Sequence, residues 1–165
     1  MLIKGSNEVK VSRKKLWKYL LDPKALKKAV PGIKTISLED GIYYAEIELS
    51  FGFISGKYQG EFSIVEQDKP KSMLIALTGS SKNNSISTTA LINLEKSKTG
   101  TIVSYKSKPK ISGRIAFMGQ RFFNNIAHKI AQQFFGNIEK QILAAELKKK
   151  SVKKKKAKKK KRKKN

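Results

Sequence analysis

The sequence contains no cysteine. Disulfides and thiolate metal sites are thereby excluded, a composition that suits a reducing cytoplasm. It has one histidine, His128, and no cluster of histidine with carboxylates. Metal centres need such clusters, so no metal is expected. No Ser-His-Asp or Cys-His grouping and no phosphate-cradling glycine loop occurs, so neither a catalytic residue nor a cofactor is expected. No apolar run approaches the ~20 residues that cross a bilayer. The opening Met1-Leu2-Ile3-Lys4 lacks the long apolar region of a signal peptide. Any contact with a membrane is therefore expected from its surface, with the chain cytoplasmic or peripheral at the inner membrane. Acidic residues are scarce as well: 12 against 37 basic, a net charge of +25.

The excess is concentrated at the end. The last 18 residues hold 13 lysines and one arginine, which leaves 23 basic residues elsewhere against the same 12 acidic ones. Residues 1–147 thus read as one moderately basic domain, long enough to bury a core and even a cavity. Residues 148–165 read as a disordered lysine-rich tail, because like charges repel and extend the chain. Three roles fit this tail. It is a solubility device, an attachment to an anionic membrane surface, or a contact with nucleic acid or ribosome through phosphate neutralisation. The contacting residues would be Lys148, Lys149, Lys150, Lys153, Lys154, Lys155, Lys156, Lys158, Lys159, Lys160, Lys161, Arg162, Lys163 and Lys164. No aromatic residue lies among them, so any nucleic-acid binding would be blind to sequence.

Residues 113–147 carry apolar side chains every four positions: Met118, Phe122, Ile126, Ile130, Phe134, Ile138 and Ile142. Ile115, Phe123, Ala127 and Ala131 widen the stripe, and no proline interrupts it. This pattern predicts one long amphipathic helix, with Arg121, Asn124, His128, Gln132 and Lys140 on the other side. Ahead of it, residues 1–11 read as a strand. Ser12 caps a short helix, and Asp22-Pro23 ends it and starts a second. From Ile33 to Lys108 the apolar period is two, which predicts hairpin-linked strands. Glu39-Asp40-Gly41 marks a turn, Ser55-Gly56 a break, and Gly52, Gly56 and Gly60 bulges or bends.

These elements predict an α+β fold: a bent antiparallel sheet of about seven strands around a long C-terminal helix, with two short helices after strand one. A curved sheet around one helix leaves a hollow, a default ligand site. Phe51, Phe53, Tyr58, Phe62, Met73, Ile75 and Leu77 are expected to face Phe117, Met118, Phe122, Ile126 and Ile130 across it. The plain alternative is that these side chains fill the core. Ala45, Ala76, Ala90, Ala127 and Ala131 favour some remaining space. Gln120 and Arg121 are expected at the rim, where they would orient a polar head group. His128, with only amide neighbours, reads as structural or exposed. Glu46 and Glu48 read as solvated residues of a strand's outer face.

The ordered set Asp22-Pro23, Val30-Pro31-Gly32-Ile33, Tyr58-Gln59-Gly60, Gly100-Thr101, Ile111-Ser112-Gly113, 116–122 (AFMGQRF) and 131–135 (AQQFF) resembles the carbon monoxide dehydrogenase CoxG family of the START-like, SRPBCC helix-grip superfamily. The resemblance spans roughly residues 1–145. It implies a non-catalytic accessory protein associated with molybdenum-containing carbon monoxide dehydrogenases and related hydroxylases. It further implies a lipid-like or quinone-like molecule in the pocket and a part in recruiting the oxidoreductase to the membrane. Many relatives carry a C-terminal segment that meets the membrane; here a lysine run stands in its place, without an apolar anchor. Two alternatives stay open: a basic-tailed module that contacts nucleic acid or ribosome, and an enzyme acting on an apolar substrate in the cavity.

Overall fold

The structure, a computed structural model, describes residues 1–164; Asn165, the end of the lysine-rich segment, lies outside the described residues. Strand β1 (Ile3–Val9) leads into helices α1 (Arg13–Leu21) and α2 (Pro23–Ala29). Strands β2 (Ile33–Glu39), β3 (Ile42–Phe51), β4 (Ile54–Asp68), β5 (Ser72–Ser80), β6 (Asn84–Lys96), β7 (Thr101–Ser107) and β8 (Lys110–Gly113) follow, and helix α3 (Gln120–Lys164) closes the chain. The caps are those the sequence suggests. The Ser12 hydroxyl accepts from the Lys15 N–H at 3.4 Å, and the Asp22 carboxylate accepts from the Lys24 N–H at 3.0 Å, with Pro23 opening α2.

The strands form one antiparallel sheet in the order β1-β7-β6-β5-β4-β3-β2, with β8 pairing the first part of β6. This is the expected α+β helix-grip architecture, with one strand more than the period-two pattern predicts. The added β8 is only four residues long, too short to show an alternation. The β2–β3 turn is Asp40-Gly41, with φ of 49° and 78°, the two positive values that a two-residue hairpin matched to sheet twist requires.

Four expectations need correction. The β3–β4 turn is Gly52-Phe53 and not Ser55-Gly56, since Phe51 pairs with Ile54 and Ser50 with Ser55. The β3–β4 ladder is unshifted, so no bulge lies at Gly56 or Gly60, although Gly56 takes a positive φ of 123°; register shifts occur instead between Ile33 and Thr35 and between Ile64 and Glu66. The long helix starts at Gln120, not near Gly113. Gly113 and Gly119 both take positive φ, 97° and 37°, which a continuing right-handed helix does not permit, and residues between them form turns instead. Finally, the helix does not stop near Leu147 with a disordered tail beyond. It continues to Lys164 as 45 residues, about 67 Å at 1.5 Å per residue. Extending an existing helix avoids the cost of nucleation, and lysine and alanine are good helix formers.

Two glycines of the sequence motifs have a steric reason. A Cβ at Gly32, whose φ is 78°, would overlap the Glu48 carbonyl oxygen, while the Glu48 N–H donates to the Gly32 carbonyl at 2.8 Å. A Cβ at Gly113 would overlap the Asn83 carbonyl oxygen. Both backbones approach too closely for any other residue.

The core is divided along α3. One cluster joins Phe135, Ile138 and Ile142 to Val9, Leu16, Trp17, Leu20, Ala25, Ala29, Met73, Leu94 and Val103. The other joins Phe123 to Ile3, Ile54, Tyr58 and Ile115. Polar side chains of α3 hold α2 in place: the Asn137 amide donates to the Ala29 carbonyl at 3.1 Å and the Gln141 amide to the Ala25 carbonyl at 3.0 Å. The Ala29 carbonyl lies at the helix end and has no partner within α2.

Candidate functional site

Between the two clusters the facing residues of sheet and helix are only half-buried. The backbone of α3 comes close to β1, α2 and α1, while Ile54 and Tyr58 of β4 and Met73 of β5 meet it through side chains in the two clusters. Pairing register places Ala45, Ile47, Gly60, Phe62, Ile75, Leu77, Gly79 and Ala90 on the face turned to α3. The side chains among them are half-buried, as are Ile126, Ala127, Ile130, Ala131 and Phe134 on the helix. A core packed to ordinary density would bury aliphatic residues in these positions. Ala45, Gly60 and Gly79 lie in register across three strands, so the wall facing the helix is thin there. This half-buried apolar stretch between mid-helix and β3–β5, flanked by the two buried clusters, is the candidate gap; Ile75, Ala131 and Phe134 pack against one cluster and Ile126 and Ala127 against the other.

The sequence-derived pocket residues fall into distinct places. Ile75, Leu77, Ile126 and Ile130 border the gap, half-buried. Phe62 borders it too and stacks on Tyr43 with centroids 4.2 Å apart and planes 6° apart. Phe51 is half-buried at the end of β3. Phe122 and Met118 pack against the cluster near the start of α3. Met73 is buried in the other cluster, and Tyr58 is buried with its hydroxyl accepting from the Asn84 amide at 3.3 Å; both are core residues, not lining. Phe53 and Phe117 are outside altogether, 76% and 81% exposed, because one occupies a hairpin turn and the other the turns before α3. Gln120 is not a free rim group: its side-chain oxygen accepts from the Leu2 N–H at 3.2 Å and ties down the start of the chain. Arg121 is exposed. Glu46 and Glu48 are exposed on the outer face, with Lys34 Nζ 3.7 Å from a Glu48 oxygen.

Several polar groups near the β1 side of the gap escaped sequence reasoning. The Tyr105 hydroxyl lies 3.2 Å from His128 Nδ1. Burial pushes the Tyr105 phenol above its ordinary range. The side-chain oxygens of Asn7 and Asn124 are buried without a hydrogen-bond partner among the described residues. Alternation in β7 was a signal that Tyr105 shares a face with Val103, but nothing in the sequence joins residue 105 to residue 128. No group of three or more potential metal ligands occurs among the described residues.

Two surface concavities lie elsewhere. One of about 700 Å³ is lined by Lys34, Glu46, Glu48, Lys57, Gln59 and Lys82, among others. The register puts Glu46, Glu48, Lys57 and Gln59 on the face away from α3, and Ile47 and Tyr58 between them also line this polar groove. The other, about 460 Å³, lies at the β3–β4 tip between Phe53 and Phe117. At the far end of the molecule the lysine run begins about 42 Å along α3 from Gln120. Among the described residues, no helix is long and apolar enough to cross a membrane.

A family model for the CoxG component of carbon monoxide dehydrogenase matches residues 5–143. Among solved structures, a conserved protein from Geobacillus kaustophilus superposes with a TM-score of 0.81 at 24% identity, covering 88% of this chain and 97% of its own. A Mycobacterium smegmatis protein gives 0.67 at 18% identity, covering 87% and 92%. A Chromobacterium violaceum protein gives 0.63 at 17% identity, covering 84% and 94%. At these identities the structures speak for the fold alone. No curated protein matches the chain in sequence.

Proposed function

The chain belongs to the carbon monoxide dehydrogenase CoxG family, and on that premise we propose that it binds a lipid-like or quinone-like molecule between α3 and strands β3–β5 and helps to place a molybdenum hydroxylase-type oxidoreductase at a membrane. The family is one of accessory proteins, which supports a role in ligand binding or assembly over one in catalysis. The observation that carries the reading is incomplete burial where sheet and helix face each other: apolar residues of both, led by Ile75, Leu77, Ile126 and Ile130, are half-buried between two fully buried clusters. An elongated apolar molecule would complete that interior. Tyr105, with His128 beside it, offers a hydroxyl to a polar end of the ligand.

Native mass spectrometry of the purified chain, followed by organic extraction, tests the reading. A stoichiometric apolar molecule supports it. A protein that stays free of ligand when offered lipids and quinones sinks it.

In this reading the lysine run supplies attraction to an anionic surface. Fourteen cations on one projecting helix also favour a second polyanion, nucleic acid. Gel shifts with unrelated DNA and RNA separate the two. Retardation that persists at physiological salt, with no flotation on anionic vesicles, favours nucleic acid.

A further inference from the structure

Phe117 and Phe53 are the two most exposed large apolar side chains among the described residues. They come from segments far apart in sequence, yet they line the same concavity, together with Ile115 and Met118. Each segment is anchored by a buried neighbour, Ile54 in one and Ile115 in the other. The fold therefore holds each phenylalanine out in water while keeping the backbone beneath it fixed. Two adjacent exposed phenylalanines on an anchored tip are unusual for a surface that meets only solvent.

The charges nearest the two rings are basic. Arg114 lines the concavity and Arg121 is exposed in the first turn of α3, while Lys57 and Lys82 lie in the neighbouring groove with Glu46 and Glu48. The sequence contains no Asp or Glu in residues 49–60, 69–94 or 96–138, which include the β3–β4 turn and residues 114–121. Exposed aromatic side chains beside Arg114 and Arg121 fit one kind of surface closely: an anionic bilayer. There the rings settle below the head groups while lysine and arginine reach the phosphates. An acidic protein partner would match the charge, but it would leave two projecting rings in need of pockets of their own.

We infer that the tip formed by the β3–β4 turn and residues 114–121 is a docking face for an anionic lipid bilayer, with Phe53 and Phe117 inserted. The inference rests on the reading that the chain works at a membrane, but it is independent of the lysine run. That run begins about 42 Å away along α3, so it cannot supply the same contact. The two basic regions touch one flat membrane together only if α3 lies nearly parallel to it. With α3 upright, the tip meets the bilayer and the lysine run is free to reach a different polyanion.

The absence of cysteine makes a direct test simple. Single variants of the full chain, Ser55→Cys and Ala116→Cys, carry an environment-sensitive fluorophore beside each ring; Leu38→Cys on β2 is the control. The vesicles are phosphatidylcholine with about one-third phosphatidylglycerol, at ~0.5 M salt, where the attraction of the lysine run is largely screened. Labels at 55 and 116 should shift to the blue and be quenched by nitroxide-bearing acyl chains, while the label at 38 should not change. The unlabelled F53S/F117S chain, with its circular dichroism unchanged, should lose roughly tenfold or more in vesicle affinity. Labels at 55 and 116 that stay unchanged on vesicle-bound protein overturn the inference, as does undiminished binding of the double variant. The membrane reading then survives through the lysine run alone. A native chain that binds no vesicles even at low salt removes both.

Discussion

The Tyr105 hydroxyl lies 3.2 Å from His128 Nδ1, and both crowd Gly5, the β1 residue paired with Tyr105. A Cβ at Gly5 would overlap the Tyr105 hydroxyl and come within 3.1 Å of His128 Cε1. The missing side chain of Gly5 is thus what lets the helix and β7 meet over β1. Gly5→Ala should push the phenol from the imidazole and destabilise the fold by about 1–3 kcal/mol, the usual cost of overpacking. Tyr105→Phe keeps the ring and should cost only about 0.5–1.5 kcal/mol. Urea unfolding midpoints of the two variants check the order.

Alkaline pH should weaken the fold through two tyrosines. Tyr43 is raised above 10.0 by burial first and by the nearby Asp22 carboxylate second; its hydroxyl donates to the Leu21 carbonyl at 2.6 Å. Tyr105 is raised by burial. A raised phenol is held neutral by the fold, so the unfolded chain ionises first. The stability each residue contributes is therefore complete below pH 10 and declines as pH rises from there through the folded pKa. Absorbance titration should show a late phenolate phase that Tyr43→Phe and Tyr105→Phe each reduce. Each variant should also lose less stability above pH 10 than the native chain.

Filling the gap should separate an open cavity from a packed core. Ala90 faces α3 from β6 and is half-buried. In a packed core, Ala90→Phe would cost about 1–3 kcal/mol or more. In the gap it should be tolerated, leaving the Tm of ligand-free protein within a few degrees. Any co-purifying apolar molecule should be lost. Calorimetry with extraction and mass spectrometry reads both effects, and a sharp loss of Tm would show that the space is already filled.

The lysine run should respond to salt. Fourteen like charges along one helix repel at i,i+3 and i,i+4 spacing, opposing the good helix propensity of lysine and alanine. Screening should strengthen this segment, so helical circular dichroism should rise with salt in the full chain and stay flat after deletion of residues 148–165. The deletion should leave the Tm of the body nearly unchanged, because the lysines project from it. Binding to anionic vesicles should fall at low salt, where the run contributes most.

Local rules made much of the fold legible. Ser12, Asp22 and Pro23 mark the two short helices through capping that needs no distant partner. Asp40-Gly41 fixes a hairpin because both residues tolerate positive φ. The period-two segments and the four-residue repeat of Phe122, Ile126, Ile130, Phe134, Ile138 and Ile142 decide strand against helix. Ordered motifs from Asp22-Pro23 to 131–135 disclose the family.

The site depended on tertiary structure. Apolar spacing states that Phe53, Met73, Phe117 and Ile130 avoid water, but not which has a partner. That depends on which segments the sheet brings together. The turn at Gly52-Phe53 swings Phe53 outward, the fold buries Met73 against α1 and α3, and the turns between Gly113 and Gly119 expel Phe117. The Tyr105–His128 pair needed β7 and α3 side by side over a glycine. The sequence by itself determined the elements, their order and the family, because caps, turns and periodicity act over a few residues. Only the tertiary structure decided which apolar side chains stay half-buried and which end presents its rings, because packing acts between residues that the chain alone keeps far apart.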